Sequence, residues 1–197
     1  IICLTRSNMP LNPEISRFIR EHLDDNPDQL LWKKNEYPDD RVVVAVEQIQ
    51  ARENIKEKLP LWYACRDIFY PSKLSTEQCS SETTAPYKAR LATGNSLCDL
   101  TGGLGVDTYF FSRQIGKVTY VERNESYCEA ARSNFLALGA TNIEVIHANA
   151  TTVANQVIAD TYYIDPARRT TDNKRVFALT DYAPNVLKIK ETRLQQG

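Results

Sequence analysis

From Gly94 onward the chain alternates short apolar runs with amphipathic stretches: SLCDL, VDTYFFSRQI, KVTYVE, ESYCEAARSNFLALG, NIEVIHA, TTVANQVI and DTYYID. Taken in order as strands and helices, this βαβαβαβ series predicts an α/β fold with a parallel, doubly wound sheet. Right-handed crossovers place the Leu97 strand centrally, with its carboxyl end at the ligand crevice. Gly139, closing the FLALG pattern, fits a helix C-terminal glycine.

Up to about Thr93 the patterns are helical instead. In LNPEISRFIREHLDD, Asn12 can cap, Pro13 suits the first helical position, and Ile15, Phe18, Ile19 and Leu23 fall on one face. RVVVAVEQIQARENIKEKL carries the charge density of an exposed helix ended by Pro60, although Val42 to Val46 could equally start as a strand. LPLWYACRDIFYPSKL is aromatic and irregular, as expected of packing between two domains. STEQ, Ser75 to Gln78, has the form of a capping box, and Thr84 before APYKARL that of an N-cap. The expected division is a mainly helical accessory module over residues 1–73 and the α/β domain over 74–197.

Composition bounds the function. With 197 residues, 42% hydrophobic and 25% charged, the chain can bury one good core and a small accessory unit. Basic and acidic residues number 13 and 14 up to Thr93, then 11 and 11, so charge alone gives no case for nucleic acid. Five cysteines without C-x-x-C spacing disfavour a disulfide framework and a zinc site; no metal is expected, and a reducing cytoplasm fits best. No apolar run approaches membrane-spanning length.

In LCDLTGGLGVD, Gly102, Gly103 and Gly105 let the backbone approach a ligand where side chains would clash. The dinucleotide fingerprint G-x-G-x-x-G fails at its third glycine, where Thr108 stands. An NAD-dependent oxidoreductase is thereby disfavoured but kept as an alternative, as is a non-catalytic module binding an adenosyl ligand or RNA. Asp99, Glu122, Asn149 and Asp165 close the four strands around the same crevice. Taken singly, Glu122 could be an exposed strand-end carboxylate and Asn149 a helix cap.

Together these positions, over roughly Leu74 to Arg169, resemble the class I S-adenosylmethionine-dependent methyltransferases, a Rossmann-like family. DLTGGLGVD matches the family's D-x-x-x-G-x-G loop in a form close to that of RNA methyltransferases. The resemblance implies that Asp99 and the loop from Thr101 to Gly105 hold the methionine moiety, Glu122 the ribose, and Asn149 with Ala150 the adenine. Asn149 departs from the family's more usual Asp but keeps an acceptor.

DPAR, beginning at Asp165, resembles the corresponding motif of RNA uridine-C5 methyltransferases, which use a later cysteine as nucleophile. No cysteine follows Cys128 here. Either the nucleophile lies beyond Gly197, or a nitrogen attacks the methyl group directly, with Asp165 and the Pro166 carbonyl orienting its N–H. With its upstream helices the chain also looks like an uncharacterised bacterial methyltransferase group whose longer members carry a THUMP-like C-terminal domain. Trimethylguanosine-synthase-type enzymes place a similar Ser/Thr/Gln-rich loop before the first strand, which would bring Gln78, Ser80 and Ser81 to the cofactor mouth. Arg168 and Arg169, with Lys174 and Arg175 against Asp172, fit either a solvated loop or a site for phosphates of an RNA or other nucleotide substrate.

The family's sheet continues after its fourth strand, whereas only LTDYAPNVLKIKETRLQQG remains here. The expectation is a domain incomplete at its C-terminus, with the strand from Asp160 to Asp165 covered by a second copy or by further residues.

Overall fold

The computed structural model describes residues 13–37 and 39–166, together with 184, 186, 187, 189 and 191. The first helix, α1 (Pro13–His22), buries Phe18 and Ile19 as the spacing predicts; the proposed Asn12 cap lies outside the described residues. Helix α2 (Pro27–Trp32) opens on Pro27 and is capped by Asn26, whose side chain accepts the Asp28 and Gln29 amides.

The expected helix is α3 (Arg41–Ile55), with Val42 to Val46 taking the helical one of the two readings, but it is deeply packed rather than exposed, burying Val42, Ala45, Val46, Ile49, Ala51 and Ile55 among others. Valines favour strand locally, but Val42, Ala45, Val46 and Ile49 recur at helical spacing, and Phe18, Ile19, Leu23 and Leu30 close over that stripe. Pro60 does not end this helix. It opens α4 (Pro60–Ala64), where its missing amide costs nothing.

The STEQ capping box is also displaced. Helix α5 (Lys73–Gln78) is capped by Ser72, which accepts the Ser75 amide, so STEQ lies inside the helix. Before α6 (Thr84–Ala89), Ser81 rather than Thr84 supplies the capping oxygen, accepting the Thr84 amide at 3.1 Å.

The predicted sheet is present. Strands β1 (Ser96–Asp99), β2 (Lys117–Glu122), β3 (Ile143–His147) and β4 (Thr161–Tyr163) are all parallel, in the order β3-β2-β1-β4. Helices α7 (Val106–Ser112), α8 (Glu125–Ala137) and α9 (Ala150–Val153) connect them. Register sets Asp99 opposite Tyr120 and Tyr163, and Glu122 opposite His147, so the strands' carboxyl ends form one edge. Gly139 has φ +72°, as its place after α8 requires.

One sheet face carries Leu97 and Val118 against Ala89, Phe111 and Ile115. The other carries Cys98 and Val121 against Ala150, Val153 and Ile189. A further cluster joins Ile55, Leu59, Trp62 and Tyr70 to Tyr109, Tyr120 and Phe135, so the aromatic stretch packs the helical part onto the α/β part. Among the described residues no helix is long and apolar enough to cross a membrane.

Candidate cofactor-binding and active site

Asp99 ends the central strand and is 1% exposed. One carboxyl oxygen accepts the Thr101 amide at 3.0 Å and the other the Thr108 hydroxyl at 2.6 Å, tying the start of the loop to α7. Burial pushes its pKa up to about 7, with the Asp107 and Asp165 carboxylates adding to the rise and the two hydrogen bonds opposing it.

The glycines divide into two kinds. A Cβ on Gly102 would lie 2.1 Å from the Tyr120 ring, and one on Gly105, at φ +91°, would lie 2.8 Å from the Phe135 ring. These two answer to the protein's own aromatics. The Tyr120 hydroxyl also donates to the Gly103 carbonyl at 2.6 Å, bracing the loop from below. Gly103 differs: at φ +54° it is left-handed, yet an added Cβ meets nothing nearer than 3.8 Å. This is the open side of the loop, where a ligand can approach.

Glu122, at the end of β2, accepts the Gly103 amide at 3.1 Å through one oxygen and the Asn124 amide at 2.9 Å through the other. Each carboxylate oxygen has two lone pairs, so capacity remains for ligand hydroxyls. Asn149 is exposed and caps α9, accepting the Thr151 amide at 3.0 Å and hydroxyl at 2.8 Å; Ala150 beside it is buried. Gln78 is exposed at the end of α5. Arg168 and Arg169 lie outside the described residues.

Asp165 is brought to the same loop. Its amide donates to the Thr101 hydroxyl at 2.7 Å, joining the DPAR corner to the glycine-rich turn. Its carboxylate contacts the Lys88 ammonium at 3.3 Å and the Tyr163 hydroxyl at 3.4 Å. Lys88 also donates to Ser80 at 2.9 Å, Asp107 at 3.1 Å and Tyr163 at 2.7 Å. Burial first, then the Asp107 and Asp165 carboxylates, raises the Tyr163 phenol far above its ordinary value.

Sequence reasoning missed Lys88, Asp107 and Tyr163. Tyr163 was findable, because the expected strand DTYYID sets it two residues before Asp165 on one face; the observed strand is shorter, Thr161–Tyr163, and Asp165 lies two residues beyond it. Nothing local marks Lys88, which reaches Asp165 across 77 positions.

No protein-family profile matches the chain, and no curated protein does. Among solved structures, a candidate methyltransferase from Porphyromonas gingivalis W83 is 30% identical, with a TM-score of 0.77 over 92% of this chain. The fold is that of the class I methyltransferases. The chain spans 46% of that protein's length, about half of it. An rRNA methylase from Streptococcus thermophilus is 21% identical, covering 57% of this chain and 61% of that one, with a TM-score of 0.40, too low to bear on function. Open parallel α/β sheets bind ligands at the carboxyl edge of the strands, where Asp99, Glu122 and Asp165 stand.

Proposed function

We propose that this chain is the S-adenosylmethionine-binding part of a methyltransferase acting on an N–H group of RNA or another nucleotide. The observation that carries this reading is the Thr101–Asp165 hydrogen bond of 2.7 Å, which fixes the DPAR corner against the glycine-rich loop. A loop suited to the cofactor and a carboxylate suited to the substrate are thereby held at one place. The residues present fit the cofactor: Gly103 leaves the loop open on one side, and the Glu122 carboxylate stands at that opening.

When bound, S-adenosylmethionine supplies a methyl group on a sulfonium sulfur. Asp165 and the Pro166 carbonyl accept hydrogen bonds from the nucleophile's N–H groups and aim its lone pair. The Asp165 carboxylate then takes the proton released as the new bond forms. The RNA assignment draws on the likeness of DPAR to RNA-modifying enzymes and on the arginines that follow it.

Two measurements test the reading. S-adenosylhomocysteine, but not NAD, should raise the melting temperature, a saturating ligand stabilising by about 2.7 kcal/mol at 100 times its Kd. Labelled methyl should pass to RNA or nucleotides, and Asp165→Ala should abolish that transfer while leaving cofactor affinity within about 3-fold, since its role is toward substrate. Stabilisation by NAD alone, or full activity of Asp165→Ala, would overturn it.

A further inference from the structure

A polar cluster beside the carboxyl edge of the sheet is centred on a residue from outside it. Lys88 projects from α6 and its ammonium meets four oxygens: Tyr163 at 2.7 Å, Ser80 at 2.9 Å, Asp107 at 3.1 Å and Asp165 at 3.3 Å. An ammonium has three protons, so four oxygens saturate it. Its side chain is 24% exposed, that of Asp107 14% and that of Asp165 49%, so Lys88 and Asp107 form the enclosed part of the cluster and Asp165 its open end. The Ser80 hydroxyl donates to the same Asp107 oxygen at 2.8 Å, and the Tyr163 hydroxyl lies 3.1 Å from it. One cation thus ties together α6, α7 and the end of β4.

Resting on the methyl-transfer reading above, we propose that Lys88 is a positioning residue: its ammonium holds one oxygen of Asp165, leaving the other to face the substrate N–H. The charges require such a group. Asp107 and Asp165 converge on the Tyr163 hydroxyl from α7 and from beyond β4, with the buried Asp99 behind them. Lys88 is the cation that the described residues place between them. Without it, two carboxylates share one phenol and repel each other, and Asp165 swings toward water. Because Lys88 comes from α6, the helices ahead of the sheet take part in the chemistry rather than only packing beneath it.

The test is steady-state methyl transfer by the full chain with Lys88→Met and Lys88→Arg beside the wild type. Loss of aim at the reacting group should lower kcat about 30- to 100-fold in Lys88→Met while the KM for cofactor stays within about 2-fold. Lys88→Arg, which keeps a charge in the cage, should recover most of the loss. Wild-type rates in Lys88→Met, or a loss that follows the melting temperature and is not recovered by arginine, would overturn the proposal. A wild type that binds no S-adenosylhomocysteine and transfers no methyl fails at the preceding reading instead.

A second measurement needs neither turnover nor a folded Met variant. The Lys88 ammonium 15N–1H resonance, assigned by its loss in Lys88→Arg, should be protected from exchange and should move in Asp165→Asn. A resonance absent through rapid exchange, or indifferent to Asp165, overturns the cage directly.

Discussion

Glu122 holds the loop through the Gly103 amide, and in the proposed reading its remaining lone pairs accept the ribose hydroxyls. Glu122→Ala should therefore weaken S-adenosylhomocysteine binding by roughly 1.5 to 3 kcal/mol, the loss expected for hydrogen bonds to a charged acceptor. Isothermal calorimetry checks it, and an unchanged Kd would remove Glu122 from the site. Asp99 has the opposite character, a carboxyl buried beneath the loop. Its folded pKa of about 7 is above its unfolded value near 3.8, so the folded state holds the proton more tightly. The stability it contributes is complete below the unfolded value and is lost as pH rises through about 7. The stability difference between wild type and Asp99→Asn, followed by chemical denaturation from pH 4 to pH 8, should shift against the wild type as pH rises. A difference constant with pH would contradict the burial argument.

At the scale of elements, two side-chain amides do the work of a missing strand partner. Gln48 on α3 pairs with both the amide and the carbonyl of Tyr70, each at 2.9 Å, and Asn134 on α8 pairs the same way with Phe69, each at 2.8 Å. The stretch between α4 and α5 is irregular, and its polar backbone is satisfied without a sheet. Gln48→Leu leaves a buried donor and a buried acceptor at Tyr70 unpaired, which should cost about 2 to 5 kcal/mol in urea denaturation. A cost below about 1 kcal/mol would mean that water reaches Tyr70 and the clamp is dispensable. The same accounting explains why an apparently loop-like sequence holds a fixed course.

At the scale of the whole molecule, the link between the helical part and the sheet is aromatic. Trp62 is fully buried and meets the Tyr109 ring edge-on at 6.2 Å, so a residue of α4 packs on the helix that follows the glycine loop. Trp62→Ala should cost about 3 to 5 kcal/mol, the usual loss for a buried aromatic, and should weaken S-adenosylhomocysteine binding through α7. Among the described residues the indole N–H has no hydrogen-bond partner, so Trp62→Phe forfeits packing volume but none of the described hydrogen bonds and should cost much less. Thermal unfolding and calorimetry of the two variants check this. Equal losses would mean that the N–H, not the ring volume, carries the residue's contribution.

The sheet was legible because its signals are local. KVTYVE and NIEVIHA carry β-branched and apolar residues in short runs, and the intervening segments repeat at helical spacing, so type and order of the elements followed from periodicity. Asp99 and Glu122 were findable for the same reason, since a strand's last residue lies at the carboxyl edge whatever surrounds it. What the sequence left open or misplaced had non-local causes. Of its two readings, Val42 to Val46 took helix, and a buried one, because α1 and α2 cover one of its faces. The caps moved to Ser72 and Ser81, because a capping oxygen depends on where the first turn closes. The glycines were read as room for a ligand, but Gly102 and Gly105 are occupied by Tyr120 and Phe135, an answer that exists only once β2 and α8 are folded against the loop. Lys88 lies furthest from any sequence signal. Sequence alone determined the order of elements and that Asp99 and Glu122 end their strands; packing decided what surrounds those carboxylates, because distance in space between α6 and β4 is set by the core between them and not by the chain.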